Sequence, residues 1–308
     1  MVVVSISKVC LKMIKVLKMI ISLCIDDNYF EQACAVIRSI EHHNKNIWLK
    51  VYVIGLNLSH ENIAKLVTIN TEFLEIKHVS ADINAFQSFA VDGHLSHATY
   101  IKLAIPALLE SESKVLYLDA DLIVTGSLQN IWLTDLTDQP LAGVINPFFE
   151  RNAAIFMKAE SNYFNAGVML LNLDYFRQYK IAEKAYDFML NHKERAVFHD
   201  QDALNHAIDG NWFELGLECN FQTFFLRKFH RFSADMKNKI LKAAKSPTII
   251  HFSSGMKPWE QFDPHPLKSR FLQFYNAKKK TPQSTKEYLH NLLRFLYVKS
   301  YYFWHVKL

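Results

Sequence analysis

Two aspartates, Asp119 and Asp121, close the apolar run Lys114-Val-Leu-Tyr-Leu. In an extended chain, side chains at i and i+2 project to the same side, so the triplet Asp119-Ala120-Asp121 presents two hard anionic ligands together. Such a pair suits Mn2+ or Mg2+, ions that commonly complete their shell with phosphate oxygens. A turn after a strand also favours Asp, and the carboxyl end of a buried strand is what tips the reading toward a ligand site. A second cluster, His251-Phe-Ser-Ser254-Gly255-Met-Lys257-Pro258-Trp259, directly follows the β-rich run Thr248–Ile250. A neutral imidazole there is a fit third ligand for Mn2+, and Lys257 is a compact positive charge for a diphosphate.

Three further groups carry polar chemistry. In Asp26-Asp27-Asn28-Tyr29, Asp26 can accept an imide N–H of a uracil, Asn28 can reach ribose or base, and the Tyr29 ring can stack on the base. The same four residues also read as a capped helix N-terminus. Asn165, within Tyr163-Phe-Asn165-Ala-Gly167, and the run His199-Asp200-Gln201-Asp202 supply the hydrogen-bonding groups that sugar hydroxyls require. Of the two acids, one is expected to serve structure, with Asp202 a candidate N-cap, and the other to face the sugar.

These residues must be positioned by alternating strands and helices. Strands are expected at Ile20–Ile25, Trp48–Ile54, Leu74–Val79, Lys114–Leu118 and Leu141–Ile145, with helices at Tyr29–Glu41, His60–Asn70 after the N-cap Ser59, and Ala98–Leu109. This alternation implies βαβ units and a mainly parallel sheet, with the ligand at the carboxyl ends of the strands. Later in the chain, Tyr163–Leu173 reads as a strand, Asp174–His192 as one long helix, and Thr248–Phe252 as a late return to the sheet.

The chain has 308 residues, enough for one large α/β domain, and the 50% hydrophobic and 21% charged residues are those of a globular protein. Its eight glycines include no Gly-x-Gly-x-x-Gly run, which weakens a dinucleotide or phosphate-loop reading. Four scattered cysteines without Cys-x-x-Cys spacing suit a reducing compartment and no zinc knuckle.

The net charge of +5 conceals an asymmetry: residues 268–308 hold nine Lys/Arg against Glu287 alone, whereas residues 19–267 carry a net −7. Ten of the 41 aromatic residues also fall in that basic tail, and Glu287–Leu308 has helical apolar spacing. An amphipathic, basic, aromatic segment of this kind suits an anionic membrane surface. The acidic body argues against a nucleic-acid partner. Three parts are therefore expected: an extension over 1–18, too interrupted by lysines for a signal peptide, a catalytic domain over 19–267, and a membrane-associating segment over 268–308. The expected location is cytoplasmic, peripheral on the inner face of the plasma membrane.

In this order, the motifs Asp-Asp-Asn-Tyr, Leu-Tyr-Leu-Asp-x-Asp, Tyr-Phe-Asn-Ala-Gly, Asp-Gln-Asp and His…Lys-Pro-Trp resemble those of glycosyltransferase family 8, and most closely its bacterial lipopolysaccharide α-galactosyl- and α-glucosyltransferases. The resemblance runs from about Met19 to Trp259 and implies a single Rossmann-like nucleotide-sugar-binding domain of GT-A type. It implies a retaining enzyme that moves a hexose from UDP-galactose or UDP-glucose to a saccharide or glycolipid acceptor. Asp119, Asp121 and His251 then match the Mn2+ ligands. The donor nucleotide falls to Asp26, Asp27, Asn28 and Tyr29, and its diphosphate to Lys257 with Ala120, Ser254, Gly255, Pro258 and Trp259 nearby. Asn165, Asp200 and Gln201 match the donor-sugar pocket, with Gln201 opposite the leaving UDP, and His94 matches an acceptor contact. Two positions depart from the pattern: Lys102 stands for the usual Arg, and Ser254 for a Gly that comes one place later as Gly255. Two other readings remain, a phosphatase of haloacid-dehalogenase type, which also places Asp-x-Asp after an apolar strand, and a non-catalytic UDP-sugar-binding protein.

Overall fold

A computed structural model of the chain describes residues 17–82, 98–147, 151–277 and 284–306. The first half is built from β1 (Lys18–Ile25), β2 (Trp48–Gly55), β3 (Leu74–Ser80) and β4 (Lys114–Leu118). Seven of the eight β1 residues are buried. That is what a parallel strand covered on both faces requires, and it explains the continuous rather than alternating apolar run. Further along come β5 (Leu122–Val124), β6 (Leu141–Ile145), β7 (Phe164–Asn172), β8 (Phe213–Glu214), β9 (Phe221–Gln222) and β10 (Ile249–His251).

Seven strands form one sheet in the order β3-β2-β1-β4-β7-β6-β8, in which β7 alone runs against the others. The chain order reverses at β1, with β2 and β3 laid to one side and β4 to the other. That reversal opens a crevice beyond the carboxyl ends of β1 and β4, the usual ligand position in open α/β sheets. The result is the expected mixed, mainly parallel sheet of GT-A type.

A second, three-stranded sheet, β5-β10-β9, lies beside it. The antiparallel register of β5 on β10 sets His251 opposite Leu122, and the Phe252 N–H donates to the Asp121 carbonyl at 2.9 Å. Residues 130 positions apart in sequence are thereby brought to one point. The helix Phe30–His43 packs its buried face on β5, and its Ser39 hydroxyl accepts the Val124 N–H at 3.1 Å.

Three local expectations are corrected. Asp119 and Asp121 do not continue an extended strand; they sit in a bend where the chain leaves the large sheet after Leu118 and enters the small one at Leu122. The segment Ala98–Leu109 is helical at Ala98–Ile101 and Ile105–Leu108, with a 3-10 turn at Lys102–Ala104. Pro106 lacks the N–H that would close a regular turn back onto Lys102. Asp174–His192 is two helices, Leu173–Gln178 and Ile181–Asn191, parted at Lys180 in the left-handed conformation (φ 51°). Apolar residues fall at helical spacing on both sides of that break, so periodicity could not reveal it.

Phe271, on the helix Lys268–Leu272, is fully buried against Trp259, so the first residues beyond 267 pack on the domain. The helix Thr285–His305 is capped by Ser284, whose hydroxyl accepts the Glu287 N–H. It docks through Val298 and Tyr302 while Leu289, Leu293, Leu296 and Tyr297 remain exposed. Among the described residues no helix is long and apolar enough to cross a membrane.

Candidate active site

A cavity of about 420 Å³ fills the crevice, and Asp26, Tyr29, Asp119, Asp121, His251 and Lys257 all line it. One ligand atom each from Asp119, Asp121 and His251 falls within 4.8 Å of the other two. His251 Nε2 lies 3.0 Å from Asp121 Oδ1 and 3.7 Å from Asp119 Oδ2. Apart from this approach of His251 Nε2, the buried Asp121 Oδ1 has no hydrogen-bond partner among the described residues. Burial alone would raise the Asp121 carboxyl, but Lys257 and His251 together hold it well below the usual carboxylate range. Two carboxylates and an imidazole crowded around one unsatisfied oxygen are a donor set that fits a divalent cation.

Gly167 makes this convergence possible. A Cβ built there would lie 2.2 Å from His251 Cε1 and 2.6 Å from Asp119 Oδ2, so the His251 and Asp119 side chains occupy the space that any other residue would need. A glycine inside a strand often marks such close approach, and this was the signal in the sequence that could have singled it out.

Lys257 Nζ is 2.5 Å from Asp121 Oδ2 and donates to the Phe252 carbonyl at 2.9 Å. Lys102 is buried between two acids, with Nζ 2.8 Å from Asp200 Oδ2 and 3.2 Å from Asp119 Oδ1. Burial opposes its charge, but Asp119 and Asp200 more than reverse this and raise its pKa. Burial in turn raises the Asp200 carboxyl, an effect that Lys102 only partly offsets. A lysine can therefore replace the family's arginine here by acting as a point charge between two carboxylates, without a bidentate fork. Tyr117 completes the group, its hydroxyl donating to Asp119 Oδ1 at 2.6 Å.

Asn165, Asp200 and Gln201 line the same cavity. Gln201 Oε1 accepts from Asn165 Nδ2 at 2.9 Å and from the Ala166 N–H at 3.1 Å, while Nε2 donates to the Tyr163 hydroxyl at 3.0 Å. Asp202 is fully buried and accepts from Tyr163 at 2.7 Å and from the Phe198 N–H at 2.8 Å, so it is the structural acid of the pair. Asp200 is the acid that faces the cavity.

The remaining expected residues separate. Ala120, Lys102, Ser254 and Gly255 line the cavity, so the displaced glycine still borders it. Asp26 lines it while accepting the Asn28 N–H at 3.0 Å, acting as cap and cavity wall at once. Asp27 and Asn28 do not line it. Asp27 turns to the next loop, where it accepts from the Ser59 N–H at 3.0 Å and from Asn62 Nδ2 at 2.8 Å. Pro258 and Trp259 are buried behind the wall, the Trp259 ring meeting Tyr29 edge-on at 5.9 Å. His94 lies outside the described residues. Asn146 and Phe224 also line the cavity, and the buried Asn146 Oδ1 has no hydrogen-bond partner among the described residues. An isolated Asn and an isolated Phe carry no local signal that sequence reasoning could have used.

A crevice at the topological switch of an open α/β sheet, with Asp119, Asp121 and His251 able to hold a cation beside two lysines, is the usual ligand position of an open α/β fold. The sequence profile described as Glycosyl transferase family 8 matches residues 20–263, and the chain belongs to that family. General stress protein A of Bacillus subtilis (strain 168) is 28% identical over 264 residues, which cover 83% of this chain and 92% of that protein. Glycosyltransferase GlyB of Streptococcus pneumoniae serotype 4 is 30% identical over 241 residues, 76% of this chain and 56% of that protein. The chain spans about a third of the length of the pneumococcal relatives GlyA (37%) and GlyD (30%). Among solved structures, galactosyltransferase LgtC in complex with donor and acceptor sugar analogs superposes with a TM-score of 0.76 at 26% identity, over 89% of this chain and all of that one. Family membership sets aside the phosphatase reading.

Proposed function

We propose that the chain is a retaining hexosyltransferase that moves galactose or glucose from a UDP-sugar to a saccharide acceptor of the lipopolysaccharide or lipooligosaccharide core type. The observation that carries this reading is the convergence of Asp119, Asp121 and His251 with Lys257 on one cavity that Asn165, Asp200 and Gln201 also line. Asp119, Asp121 and His251 would hold Mn2+, with Mg2+ as substitute, and the ion would supply Lewis-acid stabilisation of charge on the departing diphosphate. Lys257 adds its own charge beside it, Tyr29 offers the base a ring, and Asp26 keeps a carboxylate oxygen for the uracil.

Retention normally calls for a carboxylate nucleophile. The matching side chain is the Gln201 amide, a poor nucleophile whose oxygen already accepts two hydrogen bonds. We therefore favour front-side attack by the acceptor hydroxyl, with Gln201 stabilising an oxocarbenium-like centre. Purified protein incubated with Mn2+ and a panel of UDP-sugars should slowly hydrolyse one UDP-hexose without acceptor. Binding of UDP with no hydrolysis or transfer for any member would favour the non-catalytic alternative.

The exposed face of the helix Thr285–His305, with Leu293 67% and Tyr297 75% exposed beside Arg294 and Lys299, fits an anionic lipid surface on the cytoplasmic side. The full chain should cosediment with vesicles containing anionic phospholipid and not with purely zwitterionic ones, and Leu293→Glu should release it. Equal sedimentation with both vesicle types would contradict this.

A further inference from the structure

The roles of the Asn165 and Gln201 side-chain oxygens are fixed by two backbone groups. The Gly167 N–H donates to Asn165 Oδ1 at 3.1 Å, and the Ala166 N–H donates to Gln201 Oε1 at 3.1 Å. A backbone N–H cannot accept, so both side-chain atoms must be carbonyl oxygens. Asn220, fully buried on the short turn ahead of β9, lies with its amide 2.8 Å from that same Asn165 oxygen and must present Nδ2 to it. Its other end, Oδ1, then faces His251 Nδ1 at 3.0 Å. An oxygen there requires a hydrogen on Nδ1, so Nε2, which faces Asp119 and Asp121, is the ring nitrogen left to give up its proton to a cation.

We infer that Asn220 is a positioning residue of the transfer reaction, one amide that sets the His251 tautomer for metal binding with its oxygen and holds Asn165, and through it Gln201, with its nitrogen. The inference rests on the cation-binding reading of Asp119, Asp121 and His251. The two halves of the site, diphosphate and sugar, are thereby joined by a chain of five side chains: His251, Asn220, Asn165, Gln201 and Tyr163. Partners of this kind behind a metal-ligating histidine typically account for 10- to 100-fold in metal affinity. A buried amide serving the core alone would leave both the tautomer and the affinity unmoved when replaced.

The test separates the two ends of the amide. Asn220→Ala removes both; Asn220→Asp keeps an acceptor for Nδ1–H and loses the donor to Asn165. In the metal-free protein, nitrogen-15 spectra of the imidazoles should show His251 protonated on Nδ1 in the wild type and in Asn220→Asp, and that Nδ1 proton lost in Asn220→Ala, where Nε2–H facing Asp121 becomes the sole donor. Mn2+ affinity in the presence of UDP, read by electron paramagnetic resonance, should fall about 10- to 100-fold in Asn220→Ala and stay within about threefold in Asn220→Asp. The kcat for hydrolysis of UDP-galactose or UDP-glucose, whichever the wild type turns over, should fall in both. An Asn220→Ala protein with wild-type tautomer and Mn2+ affinity overturns the inference. If that variant does not fold, Asn220→Asp decides: Mn2+ affinity as poor as that of His251→Ala, or an unchanged kcat, overturns it equally. Failure of the wild type itself to bind Mn2+ with UDP refutes the cation reading instead, while the metal-free tautomer still reports on Asn220.

Discussion

Gly167→Ala should lower kcat by two orders of magnitude or more and weaken Mn2+ binding, with little change in far-ultraviolet circular dichroism. The added methyl would come 2.2 Å from His251 Cε1 and 2.6 Å from Asp119 Oδ2, distances that force one ligand side chain to move by an ångström or more. Misplacement of catalytic groups on that scale costs about 100-fold in rate. Backbone conformation is not at issue: Gly167 has no left-handed φ and lies within β7, where alanine is conformationally acceptable. The effect therefore reports on space next to the triad. A Gly167→Ala enzyme that bound Mn2+ normally would mean that His251 and Asp119 do not act together on the ion.

Gln201→Ala should reduce kcat on the order of 100- to 1,000-fold, the range seen when one donor or dipole is removed from a reacting centre. UDP affinity in the presence of Mn2+ should remain within about threefold, because Gln201 is bonded to Asn165, Ala166 and Tyr163 and not to the residues read as uridine and diphosphate contacts. The substitution also leaves Asn165 Nδ2 and the Ala166 N–H without their shared acceptor, and water entering the cavity can satisfy both. Stopped-assay kinetics with a UDP-hexose and equilibrium binding of UDP separate the two quantities. An unchanged kcat would remove Gln201 from the anomeric centre, and a large loss of UDP affinity would place it on the nucleotide instead.

What could be read from the sequence follows from where physical constraints are local. β1 and β4 announce themselves because a strand buried on both faces is apolar nearly throughout, whereas the edge strand β3 shows only partial burial, and the expected bounds of Lys114–Leu118 and Leu141–Ile145 are the observed ones. The metal-ligand candidates were legible because two carboxylates beyond such a strand have few structural uses, and His251 because it ends a β-rich run just ahead of a lysine. The two-residue strands β8 and β9 have no period to detect. The burial of Lys102 between Asp119 and Asp200, and the contact of Asn220 with His251, depend on residues 17 to 98 positions apart in sequence for the lysine and 31 for the asparagine. Asp27 shows the converse error: its neighbours make it look like a nucleotide contact, whereas Ser59 and Asn62 claim its carboxylate.

The central claim, that Asp119, Asp121 and His251 jointly grip a divalent ion against a diphosphate, is tested most directly by anomalous diffraction from a crystal of the chain grown with Mn2+ and UDP. The account predicts a manganese peak within coordination distance of all three side chains, with the UDP phosphates on its open side and Lys257 beside them. A peak that lacks either His251 or the aspartate pair, or UDP bound away from the metal, would contradict it.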